Sequence, residues 1–159
     1  MNIFLPDHTE ILKAFNDHEV EYILIGGYAV IFHGYDRTTG DMDIWLKPDN
    51  ENKLKIIVAL GEVGYDDESL DELNNFDFTT AVMFYLGLEP QKIEFITKLS
   101  LLNFDESNAR KTFCHIDDEF KVPVLHFNDL ILSKFNTGRT KDKADIEELQ
   151  KIKNRKDNQ

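Results

Sequence analysis

The sequence predicts an α+β fold in which helices pack on a mixed β-sheet and further helices form the C-terminal end. Segments with helical and with strand periodicity follow one another in the order helix, strand, helix, strand, helix, strands, helices. Residues 41–46 (Asp-Met-Asp-Ile-Trp-Leu) alternate polar and apolar side chains, which is the period of a half-buried strand. From residue 126 onward the pattern is helical, with Gly138 as the break between two helices.

The first helix has a clear start signal. Asp7 stands three residues before Glu10, as in a capping box, and Ile11, Leu12 and Phe15 then recur at helical spacing, so a helix is expected over 7–18. The acidic, turn-rich segment 64–75 is expected to be a loop. The other predicted elements are strands at 21–25, 41–46, 78–86 and 92–97, a strand pair within 113–124, and helices at 28–33, 50–63, 105–111, 126–136 and 140–153.

Length and composition indicate one domain over 1–154 and a polar tail over 155–159. The chain has 159 residues, 42% of them hydrophobic, which is enough for one core. No apolar stretch approaches the roughly 20 residues of a membrane span, and the N-terminus lacks a secretion signal. Cys114 is the single cysteine, so no internal disulfide forms. We therefore expect a cytoplasmic protein without membrane contact.

Charge is distributed unevenly along the chain. The net charge of −12 argues against a protein that coats nucleic acid, because phosphate binding needs a basic surface. Residues 56–91 contain eight carboxylates and no Lys or Arg, whereas residues 134–156 contain eight basic and four acidic side chains. The contrast is explained by a solvated acidic loop and a basic helix, or by a C-terminal segment that faces phosphates.

Asp41 and Asp43 form the most informative pair of polar residues. They are separated by one residue on a predicted strand, so both carboxylates project from the same side of the sheet. Two carboxylates in this arrangement can share a hard cation, although an exposed strand also carries such charge merely for solubility. Glu94, which alternates with apolar residues at 92–96, is either an exposed strand residue or a third carboxylate of a magnesium site.

Gly26 and Gly27 follow a predicted strand directly and open a short helix. Bare backbone N–H groups at such a turn can cradle phosphate, and a tight turn is the structural alternative. The sequence context of His33 and His126 does not suggest acid–base chemistry. His33 stands beside Phe32 and is expected to pack or cap, and His126 is not assigned a catalytic role.

These motifs together resemble a known family. Residues 24–34 (Leu-Ile-Gly-Gly-Tyr-Ala-Val-Ile-Phe-His-Gly) and 37–46 (Arg-Thr-Thr-Gly-Asp-Met-Asp-Ile-Trp-Leu) resemble the signature of the nucleotidyltransferase (DNA polymerase β-like) superfamily. The similarity is closest to small prokaryotic members, namely the minimal nucleotidyltransferases and the abortive-infection nucleotidyltransferase toxins. Residues 130–134 and 138–149 resemble the later helical motifs of that group, so the resemblance covers about residues 20–150.

The resemblance implies a nucleotidyltransferase fold and assigns a role to each motif. It implies transfer of a nucleoside monophosphate from a nucleoside triphosphate to an acceptor hydroxyl with Mg²⁺ or Mn²⁺. The implied catalytic and metal-binding residues are Asp41, Asp43 and Glu94, and the implied nucleotide-binding residues are Gly26, Gly27, Arg37, Lys134 and Asp142. Two positions depart from the common pattern: Gly27 where many relatives have Ser, and Glu94 where Asp is commoner.

Three readings of function stay open at this level. The acceptor of a catalytic protein is a tRNA end, a protein hydroxyl or a small molecule. A non-catalytic or antitoxin-type protein on the same fold would instead bind a partner, such as the small helical protein with which short relatives often pair. An antibiotic nucleotidyltransferase would use an acidic surface, such as residues 62–77, to attract a cationic drug.

Overall fold

The computed structural model describes residues 3–135 and 137–159 and contains one six-stranded mixed sheet with helices packed on it. The helices of this part of the chain are α1 (Pro6–Asp17), α2 (Gly26–Phe32), α3 (Asn50–Glu62), α4 (Asp67–Asn74), α5 (Phe104–Arg110), α6 (Phe127–Lys134) and α7 (Thr140–Asp157). The strands are β1 (Tyr22–Ile25), β2 (Met42–Leu46), β3 (Met83–Leu86), β4 (Ile93–Ile96), β5 (Thr112–His115) and β6 (Lys121–Val124). The α+β architecture predicted from the sequence is confirmed.

The sheet has the strand order β3-β4-β2-β1-β6-β5. Strand β2 runs antiparallel to β1 and parallel to β4, and β6 runs parallel to β1. Hairpin-like antiparallel pairs form the two edges, β3 with β4 and β5 with β6. The parallel pairs join strands that are far apart in sequence, so segments from both halves of the chain meet in the centre of the sheet.

One face of the sheet carries the main core. Phe95 of β4 stacks on Phe84 of β3 at 4.9 Å between ring centroids, and Phe15 of α1 packs 5.9 Å from Phe95. Phe15 also contacts Tyr22 of β1 edge-on at 5.5 Å, and the side chains of Phe15 and Phe95 have no exposed surface. Helix α1 therefore packs against β1 and β4 on this face and leaves the opposite face of the sheet for other groups.

The opposite face carries a row of residues that the strand register aligns. Asp43 of β2 pairs with Ile25 of β1 on one side and with Glu94 of β4 on the other, and Glu94 pairs with Tyr85 of β3. Residues paired in register project from the same face of a sheet. Trp45 lies further along this face and is covered by Phe104 of α5 at 5.2 Å.

Two predicted elements are wrong in extent or type. The segment 64–75 is not a loop, because α4 occupies Asp67–Asn74 and begins where Asp66 accepts a hydrogen bond from the backbone N–H of Ser69. Acidic residues near a helix N-terminus interact favourably with the helix dipole, so this segment forms a helix although its composition predicted a loop. The strand predicted at 78–86 is confined to Met83–Leu86, since the chain turns at Asp77.

The remaining boundaries agree closely, with two exceptions at the C-terminal end. The last residue of the helix predicted over 126–136, Asn136, lies outside the described residues, and α6 ends at Lys134. The predicted polar tail 155–159 begins inside α7, which continues to Asp157. Arg155 and Lys156 stand in the last helical turn, where positive charge is favourable.

A buried ionic cluster fastens the C-terminal helices to the chain segment before β2. Asp145 of α7 is 1% exposed, and its Oδ2 atom lies 3.0 Å from Nζ of Lys134 in α6. Oδ2 of Asp145 also accepts a 3.1 Å hydrogen bond from Nη2 of Arg37. Nε of Arg37 lies 2.9 Å from Oδ1 of Asp145, where it forms an ion pair but no hydrogen bond. Two cations from different segments therefore depend on one carboxylate.

We expect Asp145→Ala to lower the free energy of unfolding by about 3–5 kcal/mol, because it removes the carboxylate that pairs with Arg37 and one of the two that compensate the buried Lys134. Urea unfolding followed by circular dichroism measures the change. Glu148→Ala is the matched control on the same helix, since Glu148 forms an i,i+3 ion pair with the exposed Lys151. The control should lie within about 1 kcal/mol of wild type, and an equally small effect of Asp145→Ala would contradict the anchoring role of the cluster.

Candidate active site

The turn between β1 and α2 approaches the sheet face so closely that only glycine fits at its first position. Gly26 has φ +65°, a left-handed conformation that side chains rarely adopt. A Cβ on Gly26 would lie 2.2 Å from Oδ2 of Asp43. The glycine therefore brings the first turn of α2 directly against the Asp43 carboxylate. The predicted order of strand, glycines and helix is confirmed.

Asp43 and Glu94 are neighbours across the parallel pair β2 and β4. Both line a cavity of about 170 Å³ that also contains Gly26, Lys134, Arg139 and Asp142. The cavity thus brings together residues of the glycine turn, the Asp-x-Asp motif, the strand that contains Glu94 and the two C-terminal helical motifs. Glu94 is part of this site and is not an isolated exposed strand residue.

The Asp43 carboxylate is held in an environment that disfavours its charge. Burial, followed by the negative charges of Glu94 and Asp41, raises the pKa of Asp43 from 3.8 to about 6. The positive charges of Lys134 and Lys141 oppose the shift. The α2 turn and the residues of α6 and α7 that line the cavity surround this carboxylate.

Asp41 lies immediately before β2 and is paired differently. Its Oδ2 atom is 3.4 Å from Nζ of Lys92, whereas its buried Oδ1 atom has no hydrogen-bond partner. Across residues 3–135 and 137–159, no three side chains of the His, Cys, Asp and Glu types are gathered as a ready-made metal cluster. Asp41 is therefore turned toward a lysine in the structure, while Asp43 and Glu94 face the cavity.

Gly27 is enclosed by the segment that precedes β2. A Cβ on Gly27 would lie 2.2 Å from Oγ1 of Thr39 and 3.2 Å from Nη2 of Arg37. The close approach that excludes a side chain here is thus made by Thr39 and Arg37, and these two residues form one wall of the glycine turn. Arg37 is fixed in that wall by Asp145 and by a 2.8 Å hydrogen bond from Nη1 to the carbonyl oxygen of Thr38.

Lys134 and Asp142 form a pair on the opposite side of the cavity. Nζ of Lys134 lies 3.0 Å from Oδ1 of Asp142, which is 2% exposed. Oδ2 of Asp142 accepts hydrogen bonds from Oγ1 of Thr137 at 2.8 Å and from Nε of Arg139 at 2.7 Å. Burial opposes ionisation of Asp142, but these hydrogen bonds hold its pKa below the usual value. In this arrangement Asp142 orients two basic side chains at the cavity.

Sequence reasoning missed three residues that shape this site. Asp145 lies three positions after Asp142 on α7, a spacing that places both on one helix face, and this signal could have found it. Thr39 lies within the motif before Asp41, but nothing in the sequence shows its contact with Gly27. Lys92 was noted only as part of a strand, because its contact with Asp41 depends on pairing between β2 and β4.

His33 and His126 have structural roles, which the sequence analysis predicted for His33. Nε2 of His33 lies 2.8 Å from the carbonyl oxygen of Leu125, and its ring packs edge-on against Phe32 and Phe127. Burial lowers the pKa of His33, which keeps the ring neutral. His126 caps α6 by accepting a hydrogen bond from the backbone N–H of Asn128.

Within the described ranges, none of the helices combines the length and the apolar character that crossing a membrane requires.

Comparison with solved structures supports the fold. The crystal structure of the lincosamide antibiotic adenylyltransferase LnuA, lincomycin-bound, matches with a TM-score of 0.54 over 96% of this chain and 99% of that chain. The sequence identity is 18%, so this similarity concerns the fold alone. A search of curated protein sequences gives no significant match.

Comparison with family models gives the assignment. Residues 6–157 match the model described as "Nucleotidyltransferase of unknown function (DUF6036)". The match includes every residue of the cavity, from Gly26 to Asp142, and nearly the whole chain. The resemblance inferred from the glycine turn and the Asp-x-Asp motif is thereby confirmed, and the chain belongs to this family of nucleotidyltransferases.

Proposed function

We propose that the protein transfers a nucleoside monophosphate from a nucleoside triphosphate to an acceptor hydroxyl in a reaction that requires Mg²⁺ or Mn²⁺. The observation that carries the proposal is the placement of Asp43 beside Glu94, against the glycine turn and opposite Lys134, in one cavity. Family membership makes nucleotidyl transfer the activity. The metal, the residue roles and the acceptor are the proposed parts.

The carboxylates fit a hard divalent cation. Their oxygen atoms are the ligands that Mg²⁺ and Mn²⁺ prefer. The raised pKa of Asp43 reports negative charge that is buried without full compensation, and a cation would relieve it. The buried Oδ1 atom of Asp41 has no partner and is available as a further ligand. We therefore assign Asp41, Asp43 and Glu94 as the residues that would hold the metal.

The reaction forms a bond between the acceptor oxygen and the α-phosphorus and breaks the bond to the departing pyrophosphate. A bound divalent cation supplies neutralisation of the charge that builds on the phosphate oxygens. Glu94 accepts the acceptor hydroxyl proton in this proposal, because it lines the cavity beside Asp43. Gly26 lines the cavity and lets the triphosphate approach the backbone at the start of α2, whereas Gly27 makes room for Thr39 and Arg37 in the wall of the turn.

The basic side of the cavity holds the phosphates. Lys134 presents an ammonium that two buried carboxylates fix in place, so it acts as a positioned charge and not as a mobile one. Arg139 and Lys141 extend the positive charge at the start of α7. Arg37 acts through Thr39 and the wall of the glycine turn, and Asp142 acts by orienting Lys134.

The acceptor class is open among a tRNA end, a protein hydroxyl and a small molecule. LnuA is an adenylyltransferase for a lincosamide antibiotic, which makes ATP and an antibiotic panel reasonable first reagents. Pairing with a small helical protein, as in a toxin–antitoxin system, stays a prediction. We also infer a cytoplasmic location, because the reaction consumes nucleoside triphosphates.

Nucleotide binding tests the proposal directly. Magnesium with ATP, GTP, CTP or UTP should raise the melting temperature of wild type, since ligands stabilise the folded state they bind. Asp41→Ala and Asp43→Ala should abolish this rise by removing metal ligands. Equal stabilisation of wild type and both variants by every triphosphate would refute the carboxylate metal site. Incubation of labelled triphosphate with total tRNA, protein lysate or an antibiotic panel then identifies the acceptor.

Glu94→Gln should separate binding from catalysis. The amide keeps the shape of the side chain but cannot accept the acceptor proton, so transfer should fall by about 100- to 10,000-fold. Calorimetry with magnesium and triphosphate should show only a modest loss of affinity. Glu119→Gln, on the exposed turn between β5 and β6, is the charge-matched control. Transfer by Glu94→Gln at the wild-type rate would place the general base elsewhere.

Asp43→Asn should stabilise the metal-free protein at pH 8 and not at pH 4. The folded pKa of about 6 lies above the ordinary value of 3.8, so ionisation costs the folded state more than the unfolded state. This penalty is fully present above pH 6, disappears as pH falls toward 3.8, and amounts to about 3 kcal/mol. Thermal unfolding in a chelator measures it, with Asp118→Asn as control. Destabilisation by Asp43→Asn at pH 8 would contradict the charge repulsion.

A further inference from the structure

We propose that Lys92 is an internal counter-ion of the carboxylate site, which neutralises Asp41 in the metal-free protein and must be displaced when a divalent cation binds. The inference rests on the proposed metal-binding function of Asp41 and Asp43. It assigns to Lys92 a property that the glycine and Asp-x-Asp motifs do not predict. Lys92 lowers the affinity of the site for a divalent cation.

The backbone places Lys92 beside Asp41. The backbone N–H of Met42 donates a 3.1 Å hydrogen bond to the carbonyl oxygen of Lys92, at the start of the parallel pairing between β2 and β4. Nζ of Lys92 then lies 3.4 Å from Oδ2 of Asp41, and each side chain is 26% exposed. The ammonium is thus held near a carboxylate that is a proposed metal ligand.

Lys92 also has a second set of partners outside the site. Its Nζ lies 3.3 Å from Oε1 of Glu89 and 4.4 Å above the centre of the Tyr85 ring. Glu89 is 65% exposed, so this end of the lysine reaches solvent. If the Lys92 ammonium leaves Asp41, it keeps Glu89 and the face of the Tyr85 ring as partners, so its displacement costs little free energy.

The repulsion between Lys92 and an arriving cation is the reason for the lowered affinity. A unit charge a few ångströms from a divalent ion costs enough in water to change binding by about tenfold. Asp41 can coordinate the cation fully only when its ion pair with Lys92 opens. The two cations among the described residues that line the cavity of Asp43 and Glu94 are paired elsewhere: Lys134 with Asp142 and Asp145, and Arg139 with Asp142.

Titration of the metal-free protein with Mn²⁺ alone, followed by calorimetry, tests the inference. Lys92→Gln should bind Mn²⁺ about tenfold more tightly than wild type at low ionic strength, because the competing charge is removed. The gain should shrink in about 0.5 M KCl, where exposed charges are screened. Lys92→Arg keeps the charge and should bind like wild type. Lys98→Gln removes an exposed charge just beyond the other end of β4 and should change the affinity by less than about twofold.

The outcomes separate this inference from the function on which it rests. Absence of Mn²⁺ binding by wild type and by Lys92→Gln would overturn the metal site and the inference together. Binding by wild type with equal or weaker binding by Lys92→Gln would overturn the role of Lys92 alone. An equal gain in Lys98→Gln would also overturn it, since net charge would then explain the effect. Circular dichroism of each variant confirms that the fold is retained.

Discussion

The parallel pairing of β2 with β4 is the constraint on which the site depends. It sets Glu94 directly beside Asp43, continues the row to Tyr85 on the edge strand, and brings Lys92 to Asp41. Parallel neighbours cannot be joined by a tight turn, so the intervening chain must fold as a crossover of helices and an edge strand. Phe95, on the opposite face of β4, fixes the same register by packing against Phe15 of α1. A shift of one residue would turn Glu94 into the core and Phe95 into the cavity.

The site is assembled at an electrostatic cost. Asp43 is buried near two other carboxylates, and this arrangement disfavours its ionised form. The C-terminal helices contribute the opposing positive charge through Lys134 and the start of α7. The Lys134 charge is itself buried, and Asp142 and Asp145 stabilise it. Negative and positive side chains therefore alternate at the cavity: Asp43 and Glu94 lie near Lys134, and Lys134 is paired with Asp142 and Asp145.

Asp145 connects the basic side of the cavity to the wall of the glycine turn. Through Arg37 it fixes the wall of the glycine turn, and through Lys134 it fixes the phosphate-facing charge. The segment before β2, the glycine turn and the two last helices thus form one unit around a single carboxylate. The match to LnuA extends over nearly all of both chains and concerns the fold alone. A shared framework does not define the acceptor, because substrate choice depends on the side chains grafted on it.

The sequence by itself determined the elements and the family. Glycines after a strand, alternating residues at 41–46 and helical spacing near the C-terminus are local patterns, so the α+β class and most element boundaries could be read from neighbouring residues. The short acidic helix α4 was missed because its cap and dipole stabilisation outweigh its weak apolar pattern. Only the tertiary structure decided that Asp43 is buried, that Thr39 and Arg37 enclose Gly27, and that Lys92 and Asp145 belong to the site. These features depend on contacts between segments distant in sequence, and local periodicity contains no information about which distant partner a side chain will meet.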